Sequence, residues 1–261
     1  MSLSIAIVCR NNEATIGRTL ESVAAFADEI VAVDSGSTDG TIALLERHKA
    51  RVIRSAWLGH VKTKQVALEA CGGEWVLCLD SDESVDDALA ASILRVMADE
   101  DTTVAAAAVN RKVFYRDRPL NHAWQPEWRV RLVRRGRYRW GGLDPHDAME
   151  PSPGAGGREV RLDGTLRHDS ISTFAEFLVK QAVHARTMAA SLHRVGRRGS
   201  VLRLMTSPPG AFAKQIVLKQ AWRDGWPGWL AAASSAAGAL MKHAMLIEMS
   251  ATSDPGTSRT T

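Results

Sequence analysis

Over the first hundred residues the hydrophobic pattern switches repeatedly between strand-like runs and helix-like spacing, and no other feature restricts the fold as tightly. Leu3–Cys9 is a short apolar run, followed by helical spacing across Ile16–Ala27 through Ile16, Leu20, Val23 and Ala27. Glu29–Asp34 reads as a second strand, Thr41–His48 as a short helix, Arg51–Arg54 as a short strand and Val61–Ala70 as a helix. Trp75–Leu79 is a fourth strand, before a helix over Val85–Ala98. Strands alternating with helices form βαβ units, whose right-handed crossovers bury a parallel sheet between helices. The expectation is an α/β chain with a mostly parallel central sheet flanked by helices. Ligands of such sheets sit beyond the carboxyl ends of the strands, where strand order reverses. A 3-2-1-4 order would set Asp34 and Asp80 on either side of the end of the first strand.

From Val104 the pattern changes. Ala105–Ala108 runs into Val113, Phe114 and Tyr115 as one longer strand, and residues 119–170 are rich in Arg, Trp, Gly and Pro, with short strands at most. Thr173-x-x-Glu176 is a capping box that opens an amphipathic helix, which Gly196 and Gly199 end. Pro208, Pro209 and Gly210 separate it from a helical stretch over Ala211–Trp222. Pro227 precedes an Ala-rich helix ending near Met249, expected to be too short and weakly apolar over Trp226–Met241 to span a membrane. The expected division is 1–170 (a 1–100 half and a 101–170 half), a helical extension over 171–249 and a frayed tail over 250–261.

The net charge of +4 conceals an asymmetry. Residues 1–100 hold 9 Lys/Arg against 16 Asp/Glu, a net −7; residues 101–261 hold 24 against 13, a net +11. The first half suits cations or neutral ligands, the second phosphate or an anionic surface. Cys9, Cys71 and Cys78 form no CxxC pair, which points to buried thiols in a reducing compartment. Met1–Asn12 lacks a basic segment ahead of its apolar run, so a cytoplasmic location is expected.

Three strands of the first half end in polar residues: Arg10-Asn11-Asn12, then Asp34-Ser35-Gly36-Ser37-Thr38-Asp39-Gly40, then Asp80-Ser81-Asp82-Glu83. As a calcium loop beginning at Asp80 the last string fails, since Val85 and Ala91 stand where Gly and Glu are required. Two carboxylates two apart after a buried strand suit Mg²⁺ or Mn²⁺, whose shell is completed by phosphate oxygens and water. A solvated acidic turn capping the next helix is the competing reading. Gly36–Gly40 matches neither GxxxxGK[ST] nor GxGxxG.

Taken together, Ile5–Glu13, Glu29–Thr41 and Trp75–Glu83 resemble the family 2 glycosyltransferases, and within them the lipopolysaccharide core β-glucosyltransferases of the WaaE type. The resemblance extends through Arg129–Arg135 and Pro145-His146-Asp147 and weakens in the C-terminal helices. It implies a GT-A nucleotide-sugar fold and inverting transfer of a hexose, glucose by preference. A nucleotide-sugar donor, UDP-linked by preference, would lie against Asn11, Asp34, Ser35, Asp39 and Asp80. Asp80 and Asp82 would hold Mn²⁺ or Mg²⁺ on the diphosphate. Two departures stand out: Asp34-Ser35 replaces the commoner pair of aspartates, and His146-Asp147 replaces His-Glu.

Transfer also needs a base for the acceptor hydroxyl. Glu127, Asp144, Asp147 and Glu150 are candidates, and Asp147, at the family's carboxylate position, is the choice. His146 and His168 are candidate further metal ligands, His168 preferred. Arg111–Arg139 carries ten basic residues against two acids, with Trp124 and Trp128 within it. Trp128, Arg129 and Arg131 are expected to hold a phosphorylated or lipid-linked saccharide acceptor. The alternatives are a sugar-phosphate nucleotidyltransferase and a non-catalytic nucleic-acid binder using the Arg-rich half, although the acidic crevice argues for no nucleic-acid partner. The helix after Trp226 either packs on the rest of the chain or lies on an anionic membrane surface, peripheral at the inner face.

Overall fold

The computed structural model describes residues 1–99, 101–143, 146–171 and 173–252; Asp144 and the tail beyond Thr252 lie outside the described residues. The elements are β1 (Leu3–Cys9), α1 (Glu13–Val23), β2 (Glu29–Asp34), α2 (Thr41–Arg47), β3 (Arg51–Arg54), α3 (His60–Ala70), β4 (Trp75–Asp80), β5 (Glu83–Val85), α4 (Asp87–Ala98), β6 (Val104–Tyr115) and β7 (Arg118–Pro119). There follow β8 (Trp128–Arg134), β9 (Tyr138–Leu143), β10 (His146–Pro151), β11 (Arg158–Arg161), β12 (Leu166–Ile171), α5 (Phe174–Arg194), α6 (Val201–Ala213) and α7 (Trp226–Thr252).

Two compact units result: Met1–Val113 with Pro126–Ser170, and Phe114–Gln125 with the chain from Ile171 onward. In the first unit the strand order is β3-β2-β1-β4-β8-β6-β12-β5, with β11 beside β6. The β3-β2-β1-β4 part is parallel, in the order expected. β8 then pairs antiparallel with both β4 and β6, and β9 and β10 form a separate antiparallel hairpin. The apolar runs of β1 and β4 are buried on both faces, as parallel strands between helices must be. Ile5, Ile7, Leu77 and Leu79 meet Ile16 and Leu20 of α1 and Leu89 and Ile93 of α4 in one core.

Several boundaries differ from the sequence reading. α1 starts at Glu13 and stops at Val23, because residues 24–27 close a turn in which Phe26 and Ala27 donate their N–H groups to Val23. Val85 belongs to a strand, since Asp86 accepts the Leu89 N–H at 2.8 Å and so sets the start of α4. β8, β9 and β10 are six or seven residues long, where short strands at most were expected.

In the second unit β7 pairs with Phe114 and Tyr115 at the end of β6, while α5 and α6 pack along α7. Thr173 caps α5 as expected, its hydroxyl accepting the Glu176 N–H. Pro208 and Pro209 do not interrupt the chain as expected; they lie inside α6, which passes into a π-helical turn over Lys214–Leu218. Pro lacks an N–H, so Leu204 and Met205 lose their i+4 donors without the helix ending. α7 has 27 residues and runs to Thr252, a few residues past the end near Met249 read from sequence. By length and composition alone it could cross a membrane: its 18-residue window has a mean hydropathy of 1.3 and is 28% buried.

Candidate active site

The carboxyl ends of β1, β2 and β4 lie side by side, with Cys9 opposite Asp34 and Val8 opposite Asp80. At the usual strand spacing this puts Asp34 and Asp80 about 10 Å apart across the end of β1. The loops after β1 and β2 are tied together. Asn11 adopts a left-handed backbone, φ 54°, and donates its N–H to Ser37 Oγ at 2.9 Å, while its Oδ1 accepts the Thr38 N–H at 2.8 Å. Asp34 accepts N–H groups from Gly36 at 3.0 Å and Ser37 at 3.1 Å, and the Ser37 hydroxyl. Gly36 makes this tight return possible at φ +92°, where a side chain would be strained. Burial pushes the Asp34 carboxyl up, but these donors outweigh it and hold it below the usual range. Burial and the neighbouring Asp34 drive the Cys9 thiol to about 12, so it stays a neutral thiol. Ser35 Oγ is buried without a hydrogen-bond partner. Asp39 accepts from Glu13 N at 3.1 Å and from Thr41 N and Oγ1, so both its oxygens tie down the starts of α1 and α2.

A second cluster surrounds the end of β4. Lys64, on α3, has 8% of its side chain exposed and places Nζ 2.6 Å from Asp80 Oδ1 and 2.8 Å from Asp147 Oδ2. Its ammonium also stands 4.8 Å from the Trp140 ring centre. The other oxygen of Asp80 accepts from Arg131 at 2.9 Å, and Arg131 reaches the fully buried Glu83 at 2.6 Å. Arg111 extends the chain of charges from Glu83 to Glu127. Burial alone would raise the Asp80 carboxyl; Lys64 and Arg131 overcome this and hold it well below the usual range. Burial likewise works against the Lys64 ammonium, yet Asp80 and Asp147 hold it above its ordinary value. Each buried ion of the cluster thus faces a partner of opposite sign, which offsets the cost of burying it.

The expected site residues fall into four places. Asp80 and Asp147 are joined through Lys64. Asp82 lies apart from that pair, its Oδ2 3.5 Å from His168 Nε2 on β12, and His168 Nδ1 is buried without a hydrogen-bond partner. Asn11, Asp34, Ser35 and Asp39 form the adjoining loop pair. Arg131, expected to face an acceptor, is 4% exposed and occupied by Asp80 and Glu83. Arg129 pairs with Glu127 at 2.8 Å, and the Trp128 ring is covered by the Arg161 guanidinium at 4.7 Å. Of the other base candidates, Glu127 is held by Arg111 and Arg129, and Glu150 stands opposite Arg139 in the β9–β10 register.

Sequence reasoning missed Lys64, Glu83 and Arg111. A signal for Lys64 existed: it shares the buried face of α3 with Ala67 and Leu68, at i+3 and i+4. A lysine on such a face must meet carboxylates.

Comparison with known proteins agrees with this architecture. The chain is 29% identical over 259 residues to the lipopolysaccharide core biosynthesis glycosyltransferase LpsC of Rhizobium meliloti (strain 1021), covering 95% of this chain and 93% of that protein. It is 26% identical to the uncharacterized glycosyltransferase RT0209 of Rickettsia typhi (strain ATCC VR-144 / Wilmington), over 95% of this chain and 87% of that one. Among solved structures, the mannosyltransferase PcManGT of Pyrobaculum calidifontis, in complex with GDP-Man and Mn²⁺, superposes with a TM-score of 0.50 at 19% identity, over 93% of this chain and 74% of that one. The fold is GT-A, and a transferase prevails over the nucleic-acid-binding alternative. The family profile for Glycosyl transferase family 2 matches residues 4–158, more than half of the chain, which therefore belongs to that family.

Proposed function

We propose that the protein moves a hexose, glucose by preference, from a UDP-linked donor to a lipid-linked or lipopolysaccharide-core saccharide, with inversion, at the inner face of the cell membrane. The observation that carries this reading is Lys64, which draws Asp80 and Asp147 to one point at the carboxyl edge of the sheet. Asp147 is the proposed base. Its Oδ2 stands 2.8 Å from the Lys64 ammonium, and a carboxylate there is the form that accepts a proton from the acceptor hydroxyl. Lys64 and Arg131 place positive charge where the leaving diphosphate gains negative charge. Asn11, Asp34, Ser35 and Asp39 would border the nucleoside, the buried Ser35 hydroxyl having no hydrogen-bond partner within the protein. Trp128, Arg129 and Arg131 stand as the acceptor side, although Arg131 reaches it through the ion-pair network rather than by an exposed guanidinium.

The residues also fit Mn²⁺ or Mg²⁺. Asp80 and Asp82 are hard oxygen donors, and the His168 imidazole beside Asp82 has one ring nitrogen without a partner. Among the described residues no three His, Cys, Asp or Glu side chains converge on one point, so diphosphate oxygens would have to complete the shell. A bound cation would supply Lewis acidity to the leaving diphosphate. Both Asp80 oxygens already accept from Lys64 and Arg131, so a cation at Asp80 would compete with those two side chains.

The test is a screen of sugar nucleotides with Mn²⁺ or Mg²⁺, reading nucleoside diphosphate release with and without a core-oligosaccharide acceptor. Acceptor-dependent release is expected, with kcat lowered about 10²- to 10⁴-fold in Asp147→Asn. An unchanged kcat in that variant would remove Asp147 from the role.

A further inference from the structure

None of the thirteen residues of α6 is buried. Its inner side, Leu204, Ser207, Pro208 and Ala211, is half-buried, and α6 packs along α7. The opposite side is apolar and open. Leu202 is 72% exposed and Met205 68%, and in the π-helical turn that follows Val217 is 67% and Leu218 74% exposed. An isolated helix of this length is marginal in water, and one with such a face needs a second apolar environment.

The charge of the surrounding chain says what that environment is. Between Glu176 and Asp224 there is no acidic residue, while nine Lys or Arg occur, and Arg203, Lys214 and Lys219 stand within or beside the apolar stripe. Arg203 and Lys214 are exposed. A second copy of this face would set these cations against one another, as would any basic partner. An apolar stripe whose own chain segment carries cations and no acids suits the acyl boundary and headgroups of an anionic leaflet. The π-helical turn and the two prolines shape the stripe. The prolines leave the carbonyls of Leu204 and Met205 without their i+4 N–H donors.

We infer that α6 and the Lys214–Leu218 turn form a membrane-docking face that lies on an anionic lipid surface, with Leu202, Met205, Val217 and Leu218 inserted and Arg203, Lys214 and Lys219 at the headgroups. From sequence, α7 is the helix for which membrane contact stands as an alternative to packing. The inference rests on surface composition and does not depend on the glycosyl-transfer chemistry.

Flotation of the full chain with neutral phosphatidylcholine vesicles and with vesicles containing phosphatidylglycerol tests it. The protein is expected to float with the anionic vesicles, to stay behind with the neutral ones, and to be released by alkaline carbonate. R203Q/K214Q/K219Q should weaken vesicle binding by about fivefold per charge removed, on the order of a hundredfold in all. L202D/L218D should abolish it, with circular dichroism and thermal midpoint unchanged. Equal binding to neutral vesicles, resistance to carbonate, or a wild-type dimer that L202D/L218D dissociates would each overturn the assignment. The first would remove the charge argument, the second would point to a spanning α7, and the third to a second copy as occupant. Donor binding by the same variants stays as in wild type, so failure here and failure of the catalytic reading are separable.

Discussion

Lys64 is a buried ammonium between two carboxylates, and its removal leaves Asp80 and Asp147 without their shared counter-ion. Breaking a buried pair from one side strands a charge, which costs more than the pair contributes. Asp80 keeps 23% of its side chain exposed and retains Arg131, which softens the loss. Lys64→Met is therefore expected to lower unfolding stability by about 3 kcal/mol in urea titrations. In a double-mutant cycle with Asp147→Asn, the coupling should be at least about 1 kcal/mol, because the second change relieves the charge stranded by the first. This residue also marks how far the site was legible. Asp80, Asp82 and Asp147 announce themselves as carboxylates at strand ends or in a family string. Lys64 sits inside a helix whose neighbours read as ordinary core, and only its place on the buried face separates it from a surface lysine.

At the scale of elements, Glu127 fastens two strands. It accepts from Arg111 on β6 and Arg129 on β8, beside the antiparallel pairing of Asn110 with Trp128. Burial opposes its charge, but the two guanidinium groups bring its carboxyl down to about 2. A carboxyl depressed on folding contributes stability that is complete above its unfolded pKa and is lost as pH falls through the folded one. Thermal unfolding followed from pH 6 to pH 2 should accordingly show a falling midpoint below about pH 4.5, with on the order of 2 kcal/mol traceable to this group. Glu127→Gln should be less stable at pH 6 and flatter across that range. The same strands explain what sequence reasoning lost. β1 to β4 are buried on both faces and read as apolar runs. β8 carries Arg129, Arg131 and Arg134 among its apolar residues, so a strand whose charges are neutralised by Glu127, Asp80, Glu83 and Glu74 reads as a basic loop. In α6 the Pro-Pro pair imitates a stop signal, yet the helix continues.

For the molecule as a whole, the contrast between a −7 half and a +11 half is real in sequence but not in space. Arg111 and Arg131, from the basic half, are drawn into the acidic edge and neutralise Asp80 and Glu83. The long stretch without acidic residues that borders α6 belongs to the second unit. The parallel sheet order and the GT-A fold were accessible from alternation and from three strings of residues. The grouping of the second unit, where Phe114–Gln125 joins the helices, was not, because nothing local marks that excursion. In the proposed function this acidic edge binds a nucleotide sugar with a divalent cation. Isothermal calorimetry of UDP-linked sugars against the purified full chain, with and without Mn²⁺, is the decisive measurement. Saturable donor binding is expected, at least tenfold stronger with Mn²⁺ in the wild type and no longer responsive to Mn²⁺ in Asp82→Ala; a wild type that ignores every sugar nucleotide, with the cation or without it, would refute the proposal.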